Sequence, residues 1–293
     1  MKKLLALALF LSLPVFAEFS VTITDDVGLT SVIVKEPVRI VSLGPSNTEI
    51  FFALGLGNRT VGVTSYCDFP KEAKKIQKVG DFVSPNIEMI LSLKPDLVLC
   101  SGGVQKELAL KLKSLGIPAV TLYPKDLKQL LNGITLVGKA TGTEKIALKY
   151  VEGLRSRINS VKEKVKNSAK PKVYLEIWNQ PLTTAGNGSF VDELITISGA
   201  VNIFSELKQT FPSVGGEEII NRNPDVIVTA YMDKAGKIKA DLVKRPGWGN
   251  INAVKNGRVY DEINSDLLLR SGPRLVDGIE ELAKKFHPEL YGK

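Results

Sequence analysis

The feature that most restricts how this chain can fold is a segment written twice. "EMILSLKPDLVL" runs from Glu88 to Leu99, and "EEIINRNPDVIV" from Glu217 to Val228. Each starts on a glutamate, reaches Pro-Asp seven residues later and ends in a short apolar run. The copies stay 129 residues apart throughout, 88 to 217 and 95 to 224. The apolar run reads as a strand and the segment before it as a helix. The proline stops that helix, because its ring disfavours helical geometry at the preceding residue. A chain that carries one helix–turn–strand unit at two distant places is expected to build the same sheet twice.

The surrounding pattern agrees. "FSVTITDDVGLTSVIV" alternates polar and apolar residues about Asp26-Val27-Gly28 and reads as a hairpin. The strands "VRIVSL", "TVGVTSY", "DLVLC" and "PAVTLY" alternate with helices in "GPSNTEIFFALGLG", "IEMILSL" and "VQKELALKLKSLG". In the first of these helices Ser46 and Glu49 have capping-box spacing. The alternation then gives way to one long helical pattern, unbroken by proline from Glu144 to Lys166, with Thr143 as its N-cap. After Pro171 it restarts with "KVYLEIW", "FVDELITISGA", "EEIINRN", "DVIVTAY" and "GRVYDEI", and closes on the helix "PRLVDGIEELAKKF". The expected class is α/β: two lobes, each with a central, mainly parallel sheet flanked by helices, joined by one long rigid helix, with a ligand cleft between them. The lobes are expected at 18–143 and 170–293, with the connecting helix at 144–169.

Residues 1–17 read as a secretory signal. Lys2 and Lys3 precede a mostly apolar stretch, and Val15-Phe16-Ala17 forms a small-residue exit, so cleavage is expected after Ala17. The stretch is too short for a spanning helix, and no other approaches about 18 unbroken apolar residues. No cysteine sits at the exit, so no lipid anchor is expected. The product is expected to be periplasmic, soluble and 276 residues long. Its formal charge falls from +8 to +6 with the loss of two lysines. The remaining basic residues are scattered. The densest group, "RSRINSVKEKVKNSAKPK", reads as a solvated helix face and not as a nucleic-acid stripe.

Chemistry of an enzymatic kind finds little support. "GLGNRTVG" follows a helix and precedes a strand, the reverse of a dinucleotide loop. The only histidine, His287 in "KKFHPEL", reads as a solvated helix-end residue, which excludes a triad with a serine motif beside it and any metal site built on several histidines. Cys67 and Cys100 both end lobe-one strands and are expected near each other, with their pairing open. No catalytic residue, resident metal or cofactor is expected. A secreted α/β enzyme stays as a remote alternative.

Ligands of open α/β sheets bind beyond the carboxyl ends of the strands. The candidates there are Tyr66, Phe82 and Ser101 in lobe one, and Trp178, Phe211, Tyr231, Asp266 and Arg270 in lobe two, with Arg274 close by. Aromatic faces with an acid and arginines suit a large, flat, partly polar ligand.

The segments "RIVSLGPSNTEIFFALGLG", "VGVTSYCDFP", "KPDLVL", "NPDVIV", "SGAVNIF" and "GPRLVDGIEELAKKFHPE" together resemble the periplasmic substrate-binding proteins of ABC importers for cobalamin, ferric siderophores and haem, most nearly the cobalamin-binding branch. The resemblance covers nearly all of the chain after residue 17. It implies a monomeric carrier that hands its cargo to a permease dimer. It implies that Glu88 and Glu217 dock onto arginines of the two permease subunits, although a helix N-terminus favours an acid in any case. It also implies that Tyr66, Asp266 and Arg270 contact the cargo. Phe82 and Phe211 stand where that branch has tryptophans, and Ser101 and Leu182 where it has other aromatics. Trp178 and Tyr231 supply aromatic surface in their place. The implied cargo is a corrinoid, with a ferric siderophore or haem as the alternative.

Overall fold

A computed structural model describes residues 19–232, 236 and 238–292. The segment read as an export signal lies outside the described residues. The chain opens with an antiparallel hairpin, β1 (Val21–Thr24) and β2 (Thr30–Ile33). The first lobe follows as β3 (Ile40–Ser42), α1 (Pro45–Ala53), β4 (Thr60–Val63), α2 (Ile87–Ser92), β5 (Leu97–Ser101), α3 (Lys106–Ser114), β6 (Ala119–Leu122) and α4 (Leu127–Ala140). The long helix α5 (Glu144–Val165) leads to β7 (Lys172–Asn179), β8 (Leu182–Thr184), α6 (Phe190–Ile197), β9 (Val201–Asn202), α7 (Gly216–Arg222) and β10 (Val226–Thr229). Short helices α8 (Lys239–Leu242) and α9 (Asn252–Lys255), then β11 (Val259–Tyr260), α10 (Asp266–Leu269) and α11 (Leu275–Phe286), complete the described elements.

The first sheet has the order β6-β5-β3-β4, parallel throughout. The second runs β11-β10-β7, with β9 parallel to the start of β7 and β8 antiparallel to its end. Apart from β8, the two lobes share one strand order. Their central strands are apolar at nearly every position because both faces are buried. Along β5, Leu97 and Leu99 face the core shared with α5, while Val98 and Cys100 face an outer core with Ile90 and Ala109. Along β10, Val226 and Val228 face the shared core and Ile227 an outer one with Tyr174 and Trp248. The 129-residue offset is therefore kept face by face.

Local geometry keeps it too. Lys94 and Asn223 occupy equivalent places after α2 and α7, and both adopt a left-handed backbone (φ 47° and 46°). The Asp that follows each proline clamps the first strand of its lobe. Asp96 accepts from the Val38 and Arg39 amides at 3.0 and 2.9 Å, and Asp225 accepts from the Lys172 amide at 2.9 Å. Each strand answers with a basic side chain. Arg39 donates to the Leu93 carbonyl and Lys172 to the Arg222 carbonyl, satisfying acceptors that a helix end leaves open.

The connecting helix buries Ala147, Val151, Leu154, Ile158, Val161 and Val165 at alternating spacings of four and three. This stripe packs on α4 of lobe one and on α6 and α11 of lobe two, so one core runs through both lobes. Fully burying a branched aliphatic contributes about 1.5–3 kcal/mol, so five of them hold α5 against both lobes far more firmly than an extended linker would. Arg157 adds hydrogen bonds to Glu280 (2.8 and 2.7 Å) and Asp277 (2.5 Å) on α11.

Several local expectations are corrected. The helix α4 fills a stretch for which the sequence pattern suggested no element. The capping box at Ser46 and Glu49 does not form: α1 starts behind Gly44 with Pro45 at its first position and no side-chain cap. Glu49 points elsewhere, as described below. Thr143 does precede α5 but bonds Thr141 instead of capping the helix. His287 is buried, 1% exposed, with Nε2 3.1 Å from the Gly199 carbonyl oxygen. Gly199 makes room for it, since a Cβ there would lie 2.6 Å from that nitrogen. The pairing of Cys67 and Cys100, which the sequence leaves open, is not made: both are buried free thiols.

The clamps yield a stability test. Asp96→Ala and Asp225→Ala each strand backbone amides, which costs about 1–3 kcal/mol when such groups are buried and less here, where water reaches them. The two losses should add in the double variant, because the clamps sit in separate lobes. Urea unfolding midpoints check this; strongly non-additive losses would mean that the clamps do not act independently.

Candidate functional site

A cavity of about 600 Å³ lies between the lobes, at the carboxyl ends of the first-lobe strands. Two more open grooves, about 550 and 910 Å³, run along α5 away from any strand end. The floor of the cavity is Pro45, Ser46 and Asn47 at the start of α1, with Ser101 at the end of β5 and Gly102 beyond it. Leu122, Tyr123 and Leu130 form one wall, and Tyr66, Phe82 and Val83 another. Lobe two closes it with Met232 and with Ser265, Asp266, Leu269, Arg270 and Ser271 around α10.

Two buried amides hold the floor in shape. Asn47 donates to the Cys100 carbonyl and to Ser101 Oγ, both at 2.9 Å. Gln105 accepts from the Ser101 amide at 2.7 Å and donates to the carbonyls of Leu43 (2.8 Å) and Phe82 (2.7 Å). The ends of β3 and β5 and the Phe82 loop are thereby tied to one side chain. A Cβ on Gly44 would lie 2.3 Å from Ser101 Oγ, so a larger residue there would push the Ser101 side chain out of its place in the floor.

At the seam the cavity meets a cluster of charges. Glu49, on α1, has a side chain only 2% exposed. It accepts from Arg274 Nη2 at 2.6 Å and Nε at 3.0 Å, and from Arg270 Nη1 at 3.1 Å. The same Nη1 donates to Asp68 at 2.9 Å, and Arg270 Nη2 stands 3.0 Å from Asp266. Arg274 also stacks on Phe69 of lobe one, 3.9 Å from the ring centroid. Asp266 and Arg270 do share one side of a single helical turn, as their spacing suggests.

Five of the eight candidate ligand residues, Tyr66, Phe82, Ser101, Asp266 and Arg270, line this cavity. The other three do not. Tyr231 turns inward, 3% exposed, and its hydroxyl donates to Glu176. Glu176 is fully buried and also takes two hydrogen bonds from Arg245, at 2.6 and 2.7 Å. Burial first, and then the Glu176 charge, push the Tyr231 hydroxyl above its ordinary pKa. Trp178 packs 6.0 Å from Tyr231, and Phe211 is exposed; neither lines the cavity. Met232, the neighbour of Tyr231, lines it instead. Glu88 and Glu217 are exposed, in the first turns of the equivalent helices α2 and α7. No group of three or more His, Cys, Asp or Glu side chains able to hold a metal occurs among the described residues.

Two α/β lobes of one topology, a helix that packs on both and a cavity at their seam define a bilobal solute-binding protein. The chain belongs to the periplasmic binding protein family, whose pattern matches residues 40–262. It is 40% identical over 281 residues to an uncharacterized ABC transporter substrate-binding lipoprotein, YvrC, of Bacillus subtilis, spanning 93% of this chain and 87% of that one. It is 30% identical over 246 residues to a vitamin B12-binding protein of Vibrio cholerae, spanning 83% and 87%. A periplasmic haem-binding protein of Roseiflexus superposes with a TM-score of 0.74 at 27% identity, covering 86% of this chain and 98% of that one. No helix among the described residues is long and apolar enough to cross a membrane.

The Asp68–Arg270 pair gives a pH signature. Burial pushes Asp68 up, but the hydrogen bond and charge of Arg270 outweigh it and hold the carboxyl below its usual range. A carboxyl depressed on folding contributes stability that is complete above its unfolded value and lost as pH falls through the folded one. The melting temperature of wild-type protein should therefore exceed that of Asp68→Asn by a constant amount near neutrality, and the two should converge below about pH 4. A gap that stays open in strong acid would mean that charge on Asp68 is not its source.

Proposed function

We propose that this protein captures a corrinoid outside the cytoplasm and delivers it to an ABC importer. The reading rests chiefly on the charge make-up of the cavity. Its walls are aromatic and aliphatic; at its polar corner Arg270 and Asp266 line it, and Arg274, Glu49 and Asp68 stand behind them, two guanidiniums among three carboxylates in all. That corner has no surplus positive charge for a polyanionic ferric siderophore or for haem carboxylates. It does offer donors and acceptors side by side, which suits the amides of a neutral corrinoid. The cavity lies within the roughly 300–1,000 Å³ of small-molecule sites, and exposed Tyr66 and Met232 extend it at the mouth for a larger cargo. The similarity to a vitamin B12-binding protein supports the same cargo.

A second reading, haem, is favoured by one feature. Tyr66, Tyr123 and Met232, all at the cavity, carry atoms able to ligate haem iron, and a haem-binding protein is among the structural neighbours. In either case residues 1–17 serve export, the carrier acts as a monomer, and Glu88 and Glu217 dock onto a permease dimer. The repeat supports that docking role: an exposed acid at one position of both lobes suits a partner with two equivalent subunits, and a charge-assisted pair at each site fixes orientation.

Parallel titration with cyanocobalamin, haemin and ferric siderophores, followed by visible absorbance, tests the cargo. Cyanocobalamin should bind, and Arg270→Ala should weaken it at least tenfold, about the effect of losing one charged hydrogen bond. Binding of haemin alone would overturn the corrinoid reading in favour of the second.

The double change Glu88→Ala, Glu217→Ala should leave the affinity for that cargo unaltered and abolish uptake by cells carrying the importer. Normal uptake with a loss of about 0.3–1 kcal/mol of stability per site would mean that both acids serve only the helix dipole.

A further inference from the structure

Two carboxylates of lobe one share one nitrogen of Arg270, which has one N–H for each. Nη1 lies 3.1 Å from Glu49 and 2.9 Å from Asp68. The two differ sharply in access to water: the Glu49 side chain is 2% exposed and the Asp68 side chain 48%. Glu49 also grips Arg274 through two further hydrogen bonds, while Asp68 has Arg270 as its only ion-pair partner among the described residues. Arg270 itself lines the cavity.

From this asymmetry, and resting on the solute-binding role proposed above, we infer that the two carboxylates act on Arg270 in opposite senses: Glu49 positions it for the cargo, and Asp68 occupies the donor that an acceptor oxygen of the cargo takes over on binding. Glu49 cannot leave. Removing it leaves Arg274 with Asp266 alone, at 3.5 Å, in a largely buried place, a costly arrangement for a poorly compensated charge. Asp68 can leave cheaply, because an exposed ion pair contributes little and its carboxylate returns to water. The acceptor that replaces it is an amide carbonyl in a corrinoid or a propionate oxygen in haem. Neither Glu49 nor Asp68 lines the cavity, and neither residue type at its place announces the role.

The signs of two substitutions decide the matter. Glu49→Gln and Asp68→Asn each remove one negative charge near the same guanidinium. Were the cavity's overall field all that counted, both would shift affinity in the same direction. The inference expects opposite directions. In titrations with cyanocobalamin, and in parallel with haemin, Asp68→Asn should tighten binding roughly two- to fivefold, the worth of an exposed pair. Glu49→Gln should weaken it tenfold or more. In an Arg270→Ala background, Asp68→Asn should change nothing, because its effect passes through that side chain. Should Glu49→Gln fail to fold, the exposed Asp68→Asn change and its combination with Arg270→Ala decide the question alone. Shifts of the same sign, a neutral or weakening Asp68→Asn, or a shift that survives Arg270→Ala would each overturn the inference while leaving the solute-binding role intact. Wild-type protein that binds neither probe would overturn the inference together with the corrinoid and haem readings.

Discussion

The Glu49 carboxylate is buried at the seam of the lobes, and its charge is balanced by Arg270 and Arg274 from the other side. Removing a buried ion from its partners costs about 3–5 kcal/mol, well above what an exposed pair contributes. Swinging the lobes far apart takes both guanidiniums from Glu49 at once and leaves Arg270 and Arg274 with only Asp266 of their own lobe. Arg274 stacked on Phe69 adds a second contact across the same seam. The width of the cavity is set here, by a few side chains, while the sheets behind them supply only a frame.

The frame is what the sequence discloses most readily. Proline and the left-handed residue before it act within a short stretch of chain, so a repeat of those residues is a repeat of local geometry; the aspartate after it reaches back to the first strand of its lobe, 57 and 53 residues away. Lys94 and Asn223 correspond because each is dictated by neighbours a few residues away, Leu97 and Val226 because each begins a central strand, and Asp96 and Asp225 because the same strand order brings the same partner strand beside them. Tyr66, Phe82, Ser101, Asp266 and Arg270 were within reach for a related reason. Where the strands of a parallel sheet end is a matter of topology, and topology follows from the alternation of helix and strand.

What lay beyond sequence reasoning depends on partners far along the chain. Glu49 has the spacing of a capping residue, yet the groups it serves lie 221 and 225 residues away. Gln105 ties together loops that carry no shared motif. Tyr231 has the position of a cleft aromatic, but Glu176 and Arg245 draw its hydroxyl inward. The helix α4 is weakened on paper by Gly133 and Gly138 in its interior, each a cost to helix formation. Gly138 is there because Ala147 of α5 packs against it with no room for a Cβ. A signal that is poor locally is thus set by a close helix–helix contact.

The stripe on α5 has a consequence for the order in which the molecule can form. Part of its lobe-two cover is α11, one of the last elements in the chain, pinned to it by the hydrogen bonds from Arg157 to residues 120 and 123 positions later. The central core therefore stays open until almost the whole polypeptide is available. Contacts of such long sequence separation carry a high loop-closure entropy and slow the final collapse. During that interval the part of the stripe that α11 covers stays exposed while α4 already shields the rest, so the nascent chain carries an apolar strip on the helix that later ties the lobes together.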